Sequence, residues 1–483
     1  MSASAPALQV AILAAGKGSR MQSPLAKVLH PLFGKPLVSW VLRAVQPLTP
    51  HQVWVITGHQ AEAVEAQLAT CRHATSLPVA CIRQIQQLGT GHAVQQLPPQ
   101  AWDGAMLVLA GDVPLLTSQT LAELWDNWQQ APTPPAVTVL AAHVDDPTGY
   151  GRVCLNAQGY PVAIIEEKDA TPEQKALTLV NSGVYILHGE QVQPLLAQLT
   201  HNNQQAELYL TDIVALAAQA GLVTQLAVLP TASDMTGVNT PVQLAECHKL
   251  MSQRAIAHAQ AHGVMVLDPA TTWLSEEVSL AGGVQLLPGC MLQGNVTVGA
   301  SSVIGPYSVL KGNTTVGERC QVMQSLLSDA TVGDDGLVGP FAHMRDGAST
   351  GGNVKVGNFV EMKNASIGAD SFISHLAYVG DATLGHSVNW GAGSITANYN
   401  PITGAKQHTH VGDRTAVGSN CVLVAPLALP HDVSVAAGTV VTKPVPSDAL
   451  IIGRARQTHL EGWVAQQRAK LPSAQPQGGC PIT

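Results

Sequence analysis

Leu13-Ala14-Ala15-Gly16-Lys17-Gly18-Ser19-Arg20-Met21, with Pro24-Leu25-Ala26-Lys27 close behind, follows directly on an apolar run from Leu8 to Leu13. The run reads as a buried first strand. The two glycines let the chain turn sharply and present backbone N–H groups with no side chain in the way. Lys17, Arg20 and Lys27 add positive charge to the same turn. A loop of this kind at the carboxyl end of a first parallel strand is suited to holding phosphates. It is not a P-loop, because Gly16-Lys17 is followed by Gly18 and no glycine stands five residues ahead of Gly16. Met21 in the third glycine position likewise excludes a dinucleotide fingerprint. The competing reading is an ordinary glycine turn with solvated basic side chains, and three basic groups in one short loop weigh against it.

Working outward, helical periodicity over 37–45 is followed by a strand at 52–57, a helix at 61–68, a strand at 79–83, a helix at 91–96 and a strand at 105–109. Strands alternating with helices predict an α/β domain with a doubly wound, mainly parallel sheet. The strand ending at Ala110 runs into Gly111-Asp112-Val113-Pro114. An acidic residue just past a buried strand, near a phosphate loop, is a candidate Mg²⁺ ligand, since Mg²⁺ takes few carboxylates together with substrate phosphate oxygens. A turn Asp ahead of Pro114 is the plainer alternative. Gln84 and Gln87-Leu88-Gly89-Thr90 offer amide and hydroxyl groups to a pyrimidine edge, and Gly149 and Gly151 allow close backbone approach beside a sugar. Glu166 ends a short apolar strand, Asn181-Ser182-Gly183 precedes a strand at 184–187, and Asn239 stands just before a helix. Each of these also serves as an ordinary turn or cap residue.

The loop from Leu13 to Met21 with Lys27 resembles the signature of the sugar nucleotidyltransferases. The order and spacing of the later pieces resemble the uridylyltransferases that make UDP-N-acetylglucosamine. The resemblance implies that Leu13, Ala14, Ala15, Gly16, Arg20 and Lys27 bind nucleotide. It implies that Gln84, Gly89, Thr90, Gly149, Glu166 and Asn181 bind uracil, ribose and the acetylated sugar, and that Asp112 and Asn239 hold the metal. Ala110 departs from it, standing where the family usually has an aromatic hydroxyl.

Past a helix-like stretch at 242–262 the texture changes completely. Aliphatic-glycine pairs recur, among them Val298-Gly299, Ile304-Gly305, Val316-Gly317, Val332-Gly333, Val356-Gly357, Ile367-Gly368 and Val417-Gly418, several of them six residues apart or about twice that. This is the hexapeptide repeat of a parallel β-helix, in which an inward aliphatic residue stacks on the coil below and small residues make the corners. Aromatic residues at 4% suit an interior of Val, Ile and Leu. Bulky or charged side chains break the pattern at 359–364, 375–381 and 389–400, and a loop at 401–409 interrupts it. A repeat built on small residues gains nothing structural from His375, Tyr378 or Lys406. An imidazole there is a natural proton acceptor, and Arg345, Lys363 and Lys406 are natural phosphate ligands.

The repeats resemble the left-handed hexapeptide acyltransferases, and that handedness comes from the resemblance. It implies His375 as catalytic base and Arg345, Lys363, Tyr378, Asn389, Asn398, Tyr399 and Lys406 as substrate ligands. Ala392, Ser419, Ala437 and Arg454 resemble acetyl-CoA contacts, and a homotrimer is implied. Two departures are Asp346, in place of a Pro that usually follows the phosphate-binding Arg, and Ala377, in place of a small hydroxyl residue.

Together, residues 10–463 resemble the family of bifunctional uridylyltransferase/acetyltransferases of UDP-N-acetylglucosamine synthesis. The implied domains are a uridylyltransferase head at 1–240, a connecting helix at 241–262, a left-handed β-helix acetyltransferase at 263–455, and a C-terminal helix with a disordered tail at 456–483. The implied substrates are UTP, glucosamine 1-phosphate and acetyl-CoA, with Mg²⁺ as cofactor. A single-function sugar-1-phosphate nucleotidyltransferase with an architectural coil is the alternative, and a non-catalytic sugar-nucleotide-binding subunit is a second.

Composition bounds the rest. The chain has 483 residues, 46% of them hydrophobic, 12% charged, with a formal net charge of −8. That balance disfavours a nucleic-acid partner. The cysteines, Cys71, Cys81, Cys154, Cys247, Cys290, Cys320, Cys421 and Cys480, have no metal-type spacing and read as thiols in a reducing compartment. Neither a signal peptide nor a membrane span is apparent, so a cytoplasmic protein is expected.

Overall fold

The computed structural model describes residues 7–74 and 76–471. The chain forms two compact units. One comprises Met1–His262, Pro269–Val278 and Met291–Asn295; the other comprises Gly263–Asp268, Ser279–Cys290 and Val296–Thr483.

In the first unit, nine strands form one sheet: β1 (Leu8–Ala14), β2 (Gln52–Thr57), β3 (Val79–Arg83), β4 (Ala105–Ala110), β5 (Val137–His143), β6 (Arg152–Leu155), β7 (Pro161–Ile165), β8 (Leu179–His188) and β9 (Thr224–Val228). Their order is β9-β5-β8-β4-β1-β2-β3, with β6 against β8 and β7. β1 lies parallel between β2 and β4, while β8 is antiparallel to both β4 and β5. Both faces of β1 are covered. Val10 and Ile12 join one apolar core with Val38, Val41, Leu68 and Leu121; Ala11 joins another with Val94, Val192 and Ile213. A strand apolar on both faces belongs in the middle of a helix-covered sheet, which is where β1 sits.

The helix expected at 61–68 runs on to Ala74, and the strand expected at 184–187 begins earlier, at Leu179. Asn181-Ser182-Gly183 is therefore not a turn before a strand. It is a bulge inside one, where the register against β5 shifts between Asn181 and Val184 and Gly183 adopts φ 77°. The long helix spans Pro241–Ala261, capped by the Thr240 hydroxyl, which accepts the Gln243 N–H. Its Cys247 and Met251 pack with Met21, Leu32 and Phe33, so the end of the glycine loop after β1 is pinned into a small core. Burial pushes the Cys247 thiol up to about 12, which keeps it an inert core residue.

The second unit is a left-handed parallel β-helix of two- to seven-residue strands. Thr297 pairs with Thr315, Val303 with Gln321 and Ala416 with Ser434, each one coil further on. The inward column reads Leu286, Ile304, Val322, Val338, Val356, Ile373, Trp390, Val417 and Val435, each in register with the next and each buried. Trp390, expected to break the pattern, instead fills a place in this column. Its indole N–H donates to the Ser394 carbonyl at 3.0 Å, so the buried polar atom is satisfied.

One corner carries left-handed φ values at Ser301, Arg319, Asp335, Asn353, Asp370, Ser387, Arg414, Asp432 and Asp448. Asn, Asp and Ser predominate because short polar side chains tolerate this backbone region. Across the inserted loop the coil lengthens: Cys421 N–H reaches Ser394 Oγ over a separation of 27, against 18 for the equivalent Cys320–Ser302 bond.

The C-terminal helix is found at Trp463–Ala469. Of the segment at 456–483 expected to end in a disordered tail, residues 472 onward, Cys480 among them, lie outside the described residues. No helix among the described residues is long and apolar enough to cross a membrane.

Candidate functional sites

In the first unit, a cleft of about 380 Å³ opens at the carboxyl ends of β1 and β4. Leu13, Ala14, Ala15, Gly16, Lys27, Gln84, Gly89, Thr90 and Asp112 all line it, as the sequence predicts, and Ala110 lies among them. Gly18 adopts φ 61°, and a Cβ there would stand 2.7 Å from the Cβ of Lys27. That glycine lets the lysine stem pass directly under the loop. A Cβ on Gly16, in contrast, would meet nothing within 4 Å. Neither packing nor φ demands glycine at 16, so its bare backbone faces the cleft. Gly89 adopts φ 113°, and a Cβ there would stand 2.5 Å from the Leu208 carbonyl oxygen.

Four predicted residues from separate segments meet at one end of the cleft. The Lys27 ammonium is ion-paired with Asp112 and lies 3.2 Å from Asn239 Oδ1, which also accepts from Arg20 at 3.0 Å. Local structure fixes them. The Val238 N–H donates to the Asp112 carbonyl at 2.9 Å, and the Asn239 N–H donates to Gln243 Oε1 at 2.8 Å. One carboxylate and one amide oxygen, both in contact with a single ammonium, form a hard-oxygen donor set suited to a small divalent cation. Arg20, exposed on its loop, reaches this cluster through its guanidinium alone.

Gln84 is buried. Its amide donates to the Gly89 carbonyl at 3.0 Å and pairs with His92 Nδ1 at 2.9 Å, which fixes the orientation of the side chain in the cleft. The remaining predicted residues gather around the bulge in β8. The Asn181 N–H donates to the Gly151 carbonyl at 2.8 Å, and its side chain donates to the Tyr185 hydroxyl at 2.6 Å. Glu166 Oε1 accepts from Thr211 at 3.2 Å, and the neighbouring Leu210 N–H donates to Thr90 Oγ1 at 3.0 Å, so the two groups share one support. Burial holds the Glu166 carboxyl above its ordinary range against the Thr211 hydrogen bond, with Asp169, Asp212 and Glu207 adding to the upward shift. Gly149, at φ 86°, donates its N–H to Glu167 rather than to this group. Thr211 and Glu207 are additions the sequence did not signal.

In the coil, Arg345 and Lys363 are register partners on adjacent coils, side by side. Glu361 Oε1 accepts from Arg345 Nε at 2.9 Å and Nη2 at 2.7 Å, while Asp346 takes Nη1 at 3.1 Å. His375 stands directly over Asn358, its register partner, with Nδ1 2.5 Å from Asn358 Oδ1. An amide oxygen can only accept, so Nδ1 carries the proton and Nε2 is left as the free lone pair. Tyr378 is in register with Glu361, and its hydroxyl lies over Gly380, where a Cβ would stand 2.2 Å from it. Asn398 is buried and donates to Asp381, whose other oxygen accepts from Asn364 at 2.6 Å. Its role is thus at least partly to hold the coil together. Tyr399 and Lys406 face each other across the inserted loop as an antiparallel bridge. Asn389 stacks between Phe372 and Ala416 and touches none of the other predicted residues through a hydrogen bond.

The four residues resembling acetyl-CoA contacts form a column. The Asn420 N–H donates to the Ala392 carbonyl, the Gly438 N–H to that of Ser419, and the Arg454 guanidinium to that of Ala437 at 2.7 Å. Asn358 was missed, although the coil length places it beneath His375.

Residues 10–160 match the family of MobA-like NTP transferase domains. The whole chain is similar to proteins named "Bifunctional protein GlmU". That of Synechococcus sp. (strain RCC307) is 43% identical over 462 residues, covering 95% of this chain and 100% of the relative. That of Trichormus variabilis is 43% identical over 457 residues, covering 94% and 98%. That of Corynebacterium efficiens is 40% identical over 476 residues, covering 98% and 97%.

Proposed function

The chain belongs to the bifunctional GlmU family, and on that premise we propose how its two sets of residues carry out two consecutive transfers. It is a bifunctional enzyme of UDP-N-acetylglucosamine synthesis. The coil acetylates glucosamine 1-phosphate with acetyl-CoA, and the head transfers uridylyl from UTP to the N-acetylated product, releasing pyrophosphate. Head, connecting helix, coil and C-terminal segment divide at about residues 240, 262 and 455.

In the head, the bare backbone from Leu13 to Gly16 approaches the nucleotide, and Gln84, Gly89 and Thr90 hold base and ribose. Gly149, Glu166 and Asn181 hold the acetylated sugar. Asp112 and Asn239 would hold Mg²⁺, which when bound supplies neutralising charge to the phosphates. Arg20 and Lys27 turn from their present partners to the triphosphate and steady the charge that builds as the sugar phosphate attacks in line.

In the coil, Arg345, Lys363 and Lys406 hold the sugar phosphate, and Tyr378, Asn389, Asn398 and Tyr399 orient sugar and thioester. His375 Nε2 takes the proton of the attacking amine as the C–N bond forms and the C–S bond breaks. Ala392, Ser419, Ala437 and Arg454 form the wall along which acetyl-CoA lies. The enzyme works as a homotrimer of the 50.3 kDa chain, which sedimentation tests: a fully active monomer would remove this part of the reading.

The observation that carries the proposal is the meeting of Arg20, Lys27, Asp112 and Asn239, four residues spread over more than two hundred positions. Assaying acetyl-CoA-dependent thiol release and UTP-dependent pyrophosphate release separately tests it. Pyrophosphate release alone would leave a nucleotidyltransferase with an architectural coil, and neither would leave a binding subunit.

A further inference from the structure

The Arg345–Lys363 pair is not open on its substrate side. Asp346 Oδ2 lies 3.1 Å from Arg345 Nη1 and 3.4 Å from Lys363 Nζ, bridging the two cations. Glu361 already takes the Nε and Nη2 side of the guanidinium. Asp346 therefore sits toward the other edge of the fork, the edge whose two N–H groups would grip a phosphate bidentately. Two cations meet two carboxylates, and the local charge is balanced where a phosphate needs it positive. The backbone holds Asp346 in this place: it adopts φ 54° at a coil corner, followed by Gly347 at φ 83°. Its side chain is about half exposed, at 52%, against 30% for Arg345 and 22% for Lys363, so it is the member of the trio with room to leave.

We propose that Asp346 sets the affinity of the coil site for its phosphate: its carboxylate occupies the anion position between Arg345 and Lys363, and a sugar phosphate binds by displacing it. The proposal rests on the reading of the coil as a glucosamine-1-phosphate acetyltransferase. The tethered carboxylate keeps two like charges together when no substrate is bound, and it weakens phosphate binding by the strength of the two contacts that must first be broken. Asp346 contacts the two proposed phosphate ligands and takes no part in the proton transfer to His375 in this scheme, so the effect falls on binding rather than on the chemical step.

Asp346→Asn removes the charge while keeping the size and the tolerance of positive φ. The KM for glucosamine 1-phosphate in acetyl transfer is expected to fall about five- to tenfold with kcat within about twofold of wild type, as for the loss of two partly exposed charge contacts. Inorganic phosphate, titrated by calorimetry against the full-length protein, is expected to bind more tightly by a similar factor. Asp346→Ser serves as a second variant, and the melting temperature of each shows that it folds. A KM that is unchanged or raised, together with phosphate binding no tighter than in wild type, overturns the proposal. The phosphate titration needs no turnover. If the wild type fails to acetylate glucosamine 1-phosphate, the functional reading falls, while the titration still decides whether Asp346 competes with a phosphate for Arg345 and Lys363.

Discussion

The Lys27 ammonium is ion-paired with the Asp112 carboxylate, and the same ammonium lies 3.2 Å from the Asn239 side-chain oxygen. A lysine thus stands where the two proposed metal ligands converge. The pair is largely shielded from solvent, with side-chain exposures of 18% and 12%, and Lys27 partners both oxygens at once. An incoming triphosphate gives the ammonium an alternative anion, and its departure frees both oxygens for a cation. Nucleotide and metal are therefore expected to bind together rather than independently.

Asp112→Asn keeps shape and hydrogen bonding but removes the one carboxylate in this donor set. Uridylyl transfer is expected to fall by about 10²–10³-fold, the scale of losing a directly acting electrostatic group, with acetyl transfer retained. Mg²⁺ affinity in the presence of UTP, read by calorimetry, should fall as well. Equal loss of both activities would indicate misfolding, and full uridylyl transfer would remove Asp112 from the site.

Gly18→Ala tests how the loop seats Lys27. Alanine at φ 61° is strained by about 1 kcal/mol, and its Cβ would stand 2.7 Å from that of Lys27. Expected outcomes are a melting temperature lowered by a few degrees and a uridylyl kcat lowered about tenfold or more through displacement of the ammonium. Gly16→Ala, with nothing within 4 Å of its Cβ, should leave the melting temperature nearly unchanged while raising KM for UTP. Equal stability losses for the two variants would contradict the division of roles.

These two glycines show how far the sequence carried. Their pairing with basic residues reads as a phosphate loop, but which of the two the fold itself requires depends on where Lys27 passes, nine residues on. Strands such as Gln52–Thr57 and Val79–Arg83 were legible to the residue because both ends are marked by a change in local pattern. The bulge at Asn181–Gly183 was not, because a Ser-Gly pair reads as a turn until β5 is present to hold it in register. In the coil the repeat gave the architecture, while contacts one turn apart, such as Asn358 under His375, needed the length of that turn. Trp390 misled for the opposite reason: its size read as a break in the repeat, yet the column of Ile373 and Val417 accommodates it.

Glu166 provides a prediction about pH. Its folded pKa lies above the unfolded value, chiefly through burial. At low pH the carboxyl is neutral in both states and costs nothing. As pH rises past the ordinary carboxylate range, the unfolded chain ionises first, and stability falls until the folded form ionises too, after which the cost is constant. Glu166→Gln does not titrate, so the variant should melt higher than wild type at pH 8. The two should converge near pH 4. A variant that melts lower at pH 8 would show that the carboxylate is stabilised by partners rather than penalised by burial.

The assignment of His375 makes the sharpest prediction for the coil. With Nδ1 bound to the Asn358 amide oxygen at 2.5 Å, the imidazole is oriented and its free lone pair is placed on Nε2. His375→Ala is expected to lower acetyl-transfer kcat by about 10²–10⁴-fold, as for a lost general base, with KM for glucosamine 1-phosphate little changed because Arg345 and Lys363 remain. Asn358→Ala keeps the base but releases its orientation and tautomer, so kcat should fall less, by about tenfold. Asn358→Asp restores an acceptor at the same place and should recover part of the loss. The double variant His375→Ala/Asn358→Ala should be no slower than His375→Ala alone, since the amide acts only through the imidazole. Losses that multiply in the double variant would assign Asn358 a role of its own, and a His375→Ala enzyme within a few-fold of wild type would place the base elsewhere.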